Sequence, residues 1–316
     1  MSCIVTHTDI DGVAAAALYT YLTKESGSIV FAEPYNLKKV MYKVHKKRPR
    51  KVIVFDLSPN TDTIDFVIGV AELLRERGGS ITWFDHHVWD DEWVERLSKA
   101  GATLYIDRST CATGVVARYV KSSISSINRK FVTDLVDGVC SADLWRFEHP
   151  MSPFFMRLVR RRDDDEWRLY VYNTLSGGTI WTKEFEEKVA NRFTEEVEEL
   201  SRPMQVEVFD VNGIRIAVVE KSEKVENSIL AARVMSLAKA EIVAVVDRSG
   251  KISLRSRGVN VRDLALALGG GGHMQAAGAK IDLPITTRIA SILRTKVLLE
   301  HVGRVLKEYA DYIKKL

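Results

Sequence analysis

In the first half of the chain, short apolar runs alternate with longer stretches whose apolar positions recur at helical spacing. "CIVTH" (Cys3 to His7) reads as a buried strand, and "GVAAAALYTYLTKE" (Gly12 to Glu25), rich in Ala and Leu, as a helix. "KVIVFDL", "SITWFD" and "ATLYID" read as further strands, and "TIDFVIGVAELLRERG" as a helix stopped by Gly78 and Gly79. "TCATGVVARYVKSSI", from Thr110 to Ile124, is again helical in pattern. Strand–helix alternation of this kind predicts an α/β domain: a parallel sheet with helices on both faces.

The pattern changes after "TKEFEEKVANRFTEEVEELSRP" (Thr182 to Pro203), a charged helical stretch stopped by Pro203. It is read as a connecting helix over 181–203, between an N-terminal domain over 1–180 and a smaller α+β domain over 204–316. In that second part, "MQVEVFDVNGIRIAVVE" holds Asn212-Gly213 between two alternating apolar runs, a strong hairpin signal. A helix, "SILAARVMSLAKA", and strands "EIVAVVDR" and "KISLRSR" follow.

Composition narrows the class. At 316 residues the chain exceeds one comfortable core and suits two domains. Its 46% hydrophobic and 28% charged content is ordinary for a globular protein. No apolar run approaches the ~20 residues needed to cross a bilayer, and Asp9 comes too early for a signal peptide, so no membrane partner is expected. Cys3, Cys111 and Cys140 are too few and too scattered for a disulfide framework, which points to a reducing cytoplasm. The net charge of +4 says little as a sum. Its distribution is uneven: "LKKVMYKVHKKRPRK" (Leu37 to Lys51) and "RLVRRR" (Arg157 to Arg162) are dense in cations. Each is either a solvated face or part of a polyanion path.

Acids and imidazoles fall where strands stop. "VTHTDIDG" supplies His7, Asp9 and Asp11; "VIVFD" supplies Asp56; "ITWFDHH" supplies Asp85, His86 and His87. Open parallel sheets bind ligands beyond the carboxyl ends of their strands, so these groups are expected to converge. Converging carboxylates repel unless cations sit among them, and oxygen ligands with one or two imidazoles suit Mn²⁺ or Mg²⁺. Taken singly, Asp56 also fits a turn or helix cap, and a lone histidine is more often core or surface than ligand.

Together these segments resemble the DHH phosphoesterase superfamily, in its DHH–DHHA1 branch. "HTDIDG", "VIVFD" and "DHH" stand in the order of its first three motifs, and "VDGVCSADLW" resembles the fourth, with Asp143 as its acid and Asp137 as the rival. "GGGGHMQAAGAKI" (Gly269 to Ile281), with "SLRSRGVNVRDLALAL" before it, resembles the DHHA1 signature. The resemblance implies a two-ion centre, usually Mn²⁺, with Mg²⁺ or Co²⁺ as substitutes, that activates water against a phosphoester. By motif, His7 and Asp9 hold one ion, Asp11, His86 and Asp143 the other, and Asp56 bridges them. Asp85 orients the histidines, and His87 meets the scissile phosphate or moves a proton. One departure stands out: relatives often carry a histidine where this chain has Val5. In the second domain, Gly270, Gly271 and Gly272 are expected to offer backbone N–H groups as an anion nest, with His273, Arg255 and Arg257 clamping a distal phosphate. Thr113 is a candidate phosphate donor at a helix start, where a simple cap explains it nearly as well.

The leading expectation is an enzyme that trims short single-stranded oligonucleotides, mainly RNA, to mononucleotides. Alternatives are a RecJ-like single-stranded DNA exonuclease, a phosphodiesterase for a cyclic dinucleotide or pApA, and a non-catalytic Cdc45-like scaffold. Apolar residues in "IASILRTKVLLEHVGRVLKEYADYI" (Ile289 to Ile313) suit either a core or a homodimer contact.

Overall fold

Every strand expected in the first half forms, and all run parallel. In the computed structural model, which describes residues 2–123, 125 and 127–315, the chain separates into two units between Val189 and Ala190. The first unit runs β1 (Ser2–His7), α1 (Ile10–Thr23), β2 (Ser28–Ala32), α2 (Leu37–Lys46), β3 (Lys51–Phe55), α3 (Ile64–Glu76), β4 (Ser80–Asp85), α4 (Asp91–Lys99), β5 (Ala102–Ile106) and α5 (Ala112–Tyr119). Helices α6 (Arg129–Asp143), α7 (Ser152–Leu158) and α8 (Asp165–Ser176) complete it, and α9 (Lys183–Ser201) contains the division between units. The helix expected over Thr110 to Ile124 is shorter than its pattern; it ends at Tyr119, and Ile124 lies outside the described residues.

The sheet order is β2-β1-β3-β4-β5. The chain leaves β1 toward β2 and then returns to add β3 on the other side, which makes the β1/β3 boundary the topological switch point. Both faces are covered, and the strands sort their side chains accordingly. Cys3, Val5, Val52, Val54, Ile81 and Trp83 meet Val40, Met41 and Val44 of α2 and Val67, Val70 and Leu74 of α3. On the other side, Phe55, Phe84 and Tyr105 stack in series below Tyr19 of α1. Helix α1 is buried almost all round, which its run of small Ala residues allows. Each large side chain buried in this way adds about 1.5–3 kcal/mol.

The second unit contains β6 (Val206–Val211), β7 (Ile214–Glu220), α10 (Asn227–Ala238), β8 (Ile242–Val246), β9 (Lys251–Ser256), β10 (Val259–Asn260), α11 (Arg262–Ala267), β11 (Gly271–His273), β12 (Ala276–Lys280), α12 (Ile285–Leu293), α13 (Thr295–Glu308) and β13 (Lys314–Lys315). Its main sheet is mixed, in the order β11-β12-β9-β8-β7-β6. The Asn212-Gly213 hairpin forms as expected, both residues taking positive φ at 54° and 72°. Alternate residues of β7 and β8 face opposite layers. Ile214, Ile216, Val218 and Ala244 join Leu298, Leu299, Val302 and Leu306 of α13, while Ala217, Val219, Val243 and Val245 join α10. The apolar face of α13 is therefore core, whereas Ile285, Ile289, Ile292 and Leu293 of α12 are exposed.

One cysteine expectation is corrected. Cys111 and Cys140 are joined as a disulfide, and Cys3 is buried and free. A sequence separation of 29 hides a proximity that the packing of α5 on α6 creates. Among the described residues, no helix is long and apolar enough to cross a membrane.

Candidate metal centre

The parallel register sets the site before any side chain is considered. Thr6 lies beside Phe55, and Phe55 beside Phe84, so the next residues along, His7, Asp56 and Asp85, stand side by side at the carboxyl edge of the sheet. That is the switch point, where doubly wound sheets open a crevice. Asp9 follows β1 as the N-cap of α1, accepting the Gly12 N–H. A Cβ at Gly12 would stand 2.7 Å from His7 Cβ, so this turn closes only with glycine there. Asp56 sits in the left-handed region at φ 54°.

Two groups of ligating atoms result. His7 Nδ1 lies 2.8 Å from Asp9 Oδ2 and 3.1 Å from Asp56 Oδ2. His86 Nε2 faces Asp56 Oδ1 at 3.4 Å, Asp143 Oδ2 at 3.6 Å and Asp11 Oδ2 at 3.8 Å. Asp56 thus turns one oxygen to each group. His87 Nδ1 lies 3.8 Å from the same Asp56 Oδ1. In three sets, His7–Asp9–Asp56, Asp11–His86–Asp143 and Asp56–His86–His87, one ligand atom from each residue lies within 4.8 Å of the others. Among the described residues, Asp56 Oδ1 and His7 Nε2 are buried without a hydrogen-bond partner, the latter 3.4 Å from Glu33 Oε2. A buried carboxylate oxygen left unbonded is costly unless a cation accepts it, so the donor set fits hard or borderline divalent ions.

Protonation follows the crowding. Burial opposes charge on His86, but Asp56, Asp143 and Asp11 overcome it and push its pKa up to about 11. Burial likewise opposes charge on His87, and Asp85 with Asp56 raises it to about 9. His7 is held well above its usual range by Asp9, Asp56 and Glu33, again against burial. Burial, then Asp56 and Asp143, drives Asp11 well up. Asp143 rises to about 6 through burial, with His86 opposing and Asp56 and Asp9 adding to the rise. Burial would raise Asp9, yet His7 and Arg161 hold it far below the carboxylate range.

The surrounding contacts refine several expectations. Asp85 is fully buried; its Oδ1 meets His87 Nδ1 at 2.8 Å and its Oδ2 accepts the Trp89 indole N–H at 2.6 Å. It therefore orients His87, and no hydrogen bond joins it to His86. Thr113, expected to donate to phosphate, instead donates its hydroxyl to Asp11 Oδ1 at 2.7 Å. The Ala112 and Thr113 N–H groups hold both oxygens of the same carboxylate at 2.7 and 2.9 Å. The helix N-terminus thus serves an anion, but the anion is the protein's own. Asp143 joins the cluster, and Asp137, on the same helix, is exposed away from it.

The glycine run of the second unit is also not one nest. Gly269 N–H bonds Leu266 O and Gly270 N–H bonds Ala265 O, the paired bonds that close a helix behind a left-handed glycine. Gly270 N–H is therefore committed to Ala265. Gly271, Gly272 and His273 form β11, the terminal strand of the sheet order, paired with β12. A Cβ at Gly272 would stand 2.6 Å from Ala277 Cα. Arg255 bonds Ser228 and Ser253, while Arg257 and His273 are exposed.

Three supporting residues escaped the sequence reading. Glu33 follows β2, lies beside His7, and accepts the Thr8 hydroxyl; "IVFAE" repeats the apolar-run-then-acid pattern of the other strands and was its signal. Buried Arg168 donates to Thr8 O at 2.8 Å and to Arg161 O at 2.6 Å, tying α8 to the β1–α1 turn. Trp89 holds Asp85, as described.

Residues 212–315 match the family model of the DHHA1 domain. The second unit therefore carries a DHHA1 domain. The chain's DHH triplet and acidic companions lie in the first unit, and its DHHA1 domain makes up most of the second. No curated protein matches. Two solved structures share the fold. The pGpG-specific phosphodiesterase PggH from Vibrio cholerae gives a TM-score of 0.51 at 16% identity, covering 94% of this chain and 99% of its own. An exopolyphosphatase-related protein from Bacteroides fragilis gives 0.50 at 15%, covering 97% and 93%.

Proposed function

We propose that this DHH–DHHA1 protein is a phosphodiesterase that hydrolyses short linear oligonucleotides, oligoribonucleotides foremost, to mononucleotides. The observation that carries the reading is the divided carboxylate of Asp56. Its Oδ2 faces His7 and its Oδ1 faces His86, so one residue belongs to both ligand groups. His7 and Asp9 would complete one ion site, and Asp11, His86 and Asp143 the other, with Mn²⁺ favoured and Mg²⁺ or Co²⁺ able to substitute. Bound there, divalent cations would supply Lewis-acid activation of water and neutralise charge growing on the phosphoryl oxygens.

The chain's own residues do the rest. Asp85 fixes His87 through Nδ1, so proton exchange with a substrate would run through Nε2. Thr113 and two backbone N–H groups keep Asp11 aimed inward. Arg161, 3.9 Å from Asp9 and exposed, stands where a phosphate arriving at the cluster would meet positive charge. A small substrate is favoured over a long strand by the specificity stated for PggH, which acts on a dinucleotide. A non-catalytic scaffold would gain nothing from a carboxylate shared between two ligand groups.

The deciding experiment is release of mononucleotides from end-labelled RNA and DNA dimers to pentamers, beside pApA, pGpG and cyclic di-AMP. Mn²⁺-dependent cleavage of the linear dinucleotides and short RNA, abolished by Asp56→Ala, is expected. Intact oligomers under Mn²⁺, Mg²⁺ and Co²⁺ would exclude it.

A further inference from the structure

We propose that Trp145 and Phe147 form a stacking platform for a nucleobase of the substrate, beside the Asp143 edge of the metal centre. This deepens the phosphodiesterase reading and rests on it. Helix α6 ends at Asp143, and the chain then folds back on itself. Buried Ser141 is the anchor: its carbonyl accepts the N–H groups of Arg146 at 2.9 Å and Phe147 at 3.1 Å. Its hydroxyl accepts those of Glu148 at 2.7 Å and His149 at 3.2 Å. Trp145 N–H bonds Ala142 O at 3.1 Å. A segment held at so many points is a fixed surface.

Fixing it places Trp145 at φ 58° and Phe147 at φ 54°. Glycine or asparagine takes that conformation readily; a bulky aromatic residue does so only where its surroundings impose it. Two such residues within three positions is a costly local choice, and strain of this kind gathers at binding sites. Nor do the rings repay it by burial. Trp145 is 43% exposed and Phe147 36% exposed. They meet edge to face at 4.7 Å, with no other ring or cation contact among the described residues. The buried tryptophans of the same unit differ. Trp83 donates its indole N–H to Leu57 O and Trp89 to Asp85, and the two rings pack on each other in the core.

Position supplies the ligand. Trp145 Cα lies at most ~7.6 Å from that of Asp143, because two trans peptides span no more. Asp143 is one of the three groups around His86 Nε2. A nucleotide with its phosphate at the cluster would carry its base to this neighbourhood, and exposed Arg146, between the two in sequence, adds positive charge for the flanking phosphate. Aromatic faces accept any base, so the platform would select nucleotides over base-free polyphosphate without reading sequence.

The test compares a linear dinucleotide with versions carrying an abasic sugar at one position and then at the other. For Trp145→Ala, KM for the intact dinucleotide is expected to rise about 5- to 100-fold, with kcat changed far less. The rise should shrink when the recognised position is abasic, and Trp145→Phe should restore most of the affinity. Phe147→Leu should give a smaller rise of the same kind. Equal losses on intact and abasic substrates, or none on either, would overturn the platform. A second readout needs no turnover: saturable quenching of tryptophan fluorescence by GMP or AMP, present in the unmodified protein and lost in Trp145→Phe. Quenching without hydrolysis of any dinucleotide would keep the platform and reject the phosphodiesterase. Hydrolysis without Trp145-dependent quenching would do the reverse.

Discussion

At the residue scale, Asp56 is the hinge of the chemistry. Its left-handed backbone, tolerable for aspartate, lets one carboxylate address His7 with one oxygen and His86 with the other. Asp56→Ala should therefore abolish both Mn²⁺ sites together. Isothermal titration calorimetry that found one site intact would contradict the sharing. Thr113→Val and Asp85→Asn each remove a partner of a candidate ligand or of His87, so metal affinity or activity should fall about 10- to 100-fold with the fold intact. Protonation gives a further prediction. His86 and His87 are both raised, to about 11 and about 9, so in the metal-free protein they contribute stability that is complete below the ordinary 6.5. That contribution is lost as pH climbs through 9 and then 11. Cations compete with the same protons, so Mn²⁺ binding at pH 7 should release protons and strengthen as pH rises. Calorimetry in buffers of different ionisation enthalpy measures the release; a heat independent of buffer would refute it.

At the element scale, the site depends on how α5 and α6 are held. Helix α5 presents the N–H groups that orient Asp11, α6 carries Asp143, and the Cys111–Cys140 bond joins the two. Opening it should destabilise the first unit by about 3–4 kcal/mol on a chain-entropy basis. A denaturant midpoint unmoved by reductant, or by Cys111→Ser with Cys140→Ser, would contradict this. Legibility also varied by element. Strands β1, β3, β4 and β5 were readable because their apolar runs are short and closed by a histidine in β1 and by acids in the others. Helix α2 was not, because Lys38, Lys39, Lys43 and Lys46 drew notice as charge while Leu37, Val40, Met41 and Val44 formed the buried stripe. Strand β11 could not be read at all, since "GGH" has no side-chain pattern and pairs only because β12 offers its edge.

At the scale of the whole molecule, the two basic stretches part ways. Arg157 and Arg160 are buried, and Arg157 bonds Pro153 O at 2.7 Å, so half of that cluster is structural, while Arg161 and Arg162 are exposed. The lysines of α2 and the residues after it form an outer face. Lys46→Glu with Lys47→Glu should weaken binding of longer oligonucleotides more than dinucleotides, with the difference shrinking as salt rises. Equal effects on both lengths would return this face to plain solvation. The sequence by itself determined the parallel architecture, the hairpin and the set of acids and histidines, because each rests on a local pattern of a few residues. Only the tertiary structure decided which of them share an atom: that Asp56 divides its oxygens, that Thr113 serves Asp11, that Glu33 braces His7, that Cys111 meets Cys140, and that Gly270 spends its N–H on Ala265. All but the last, a helix close spanning six residues, come from register and helix packing between segments far apart in sequence, and no short window along the chain contains them.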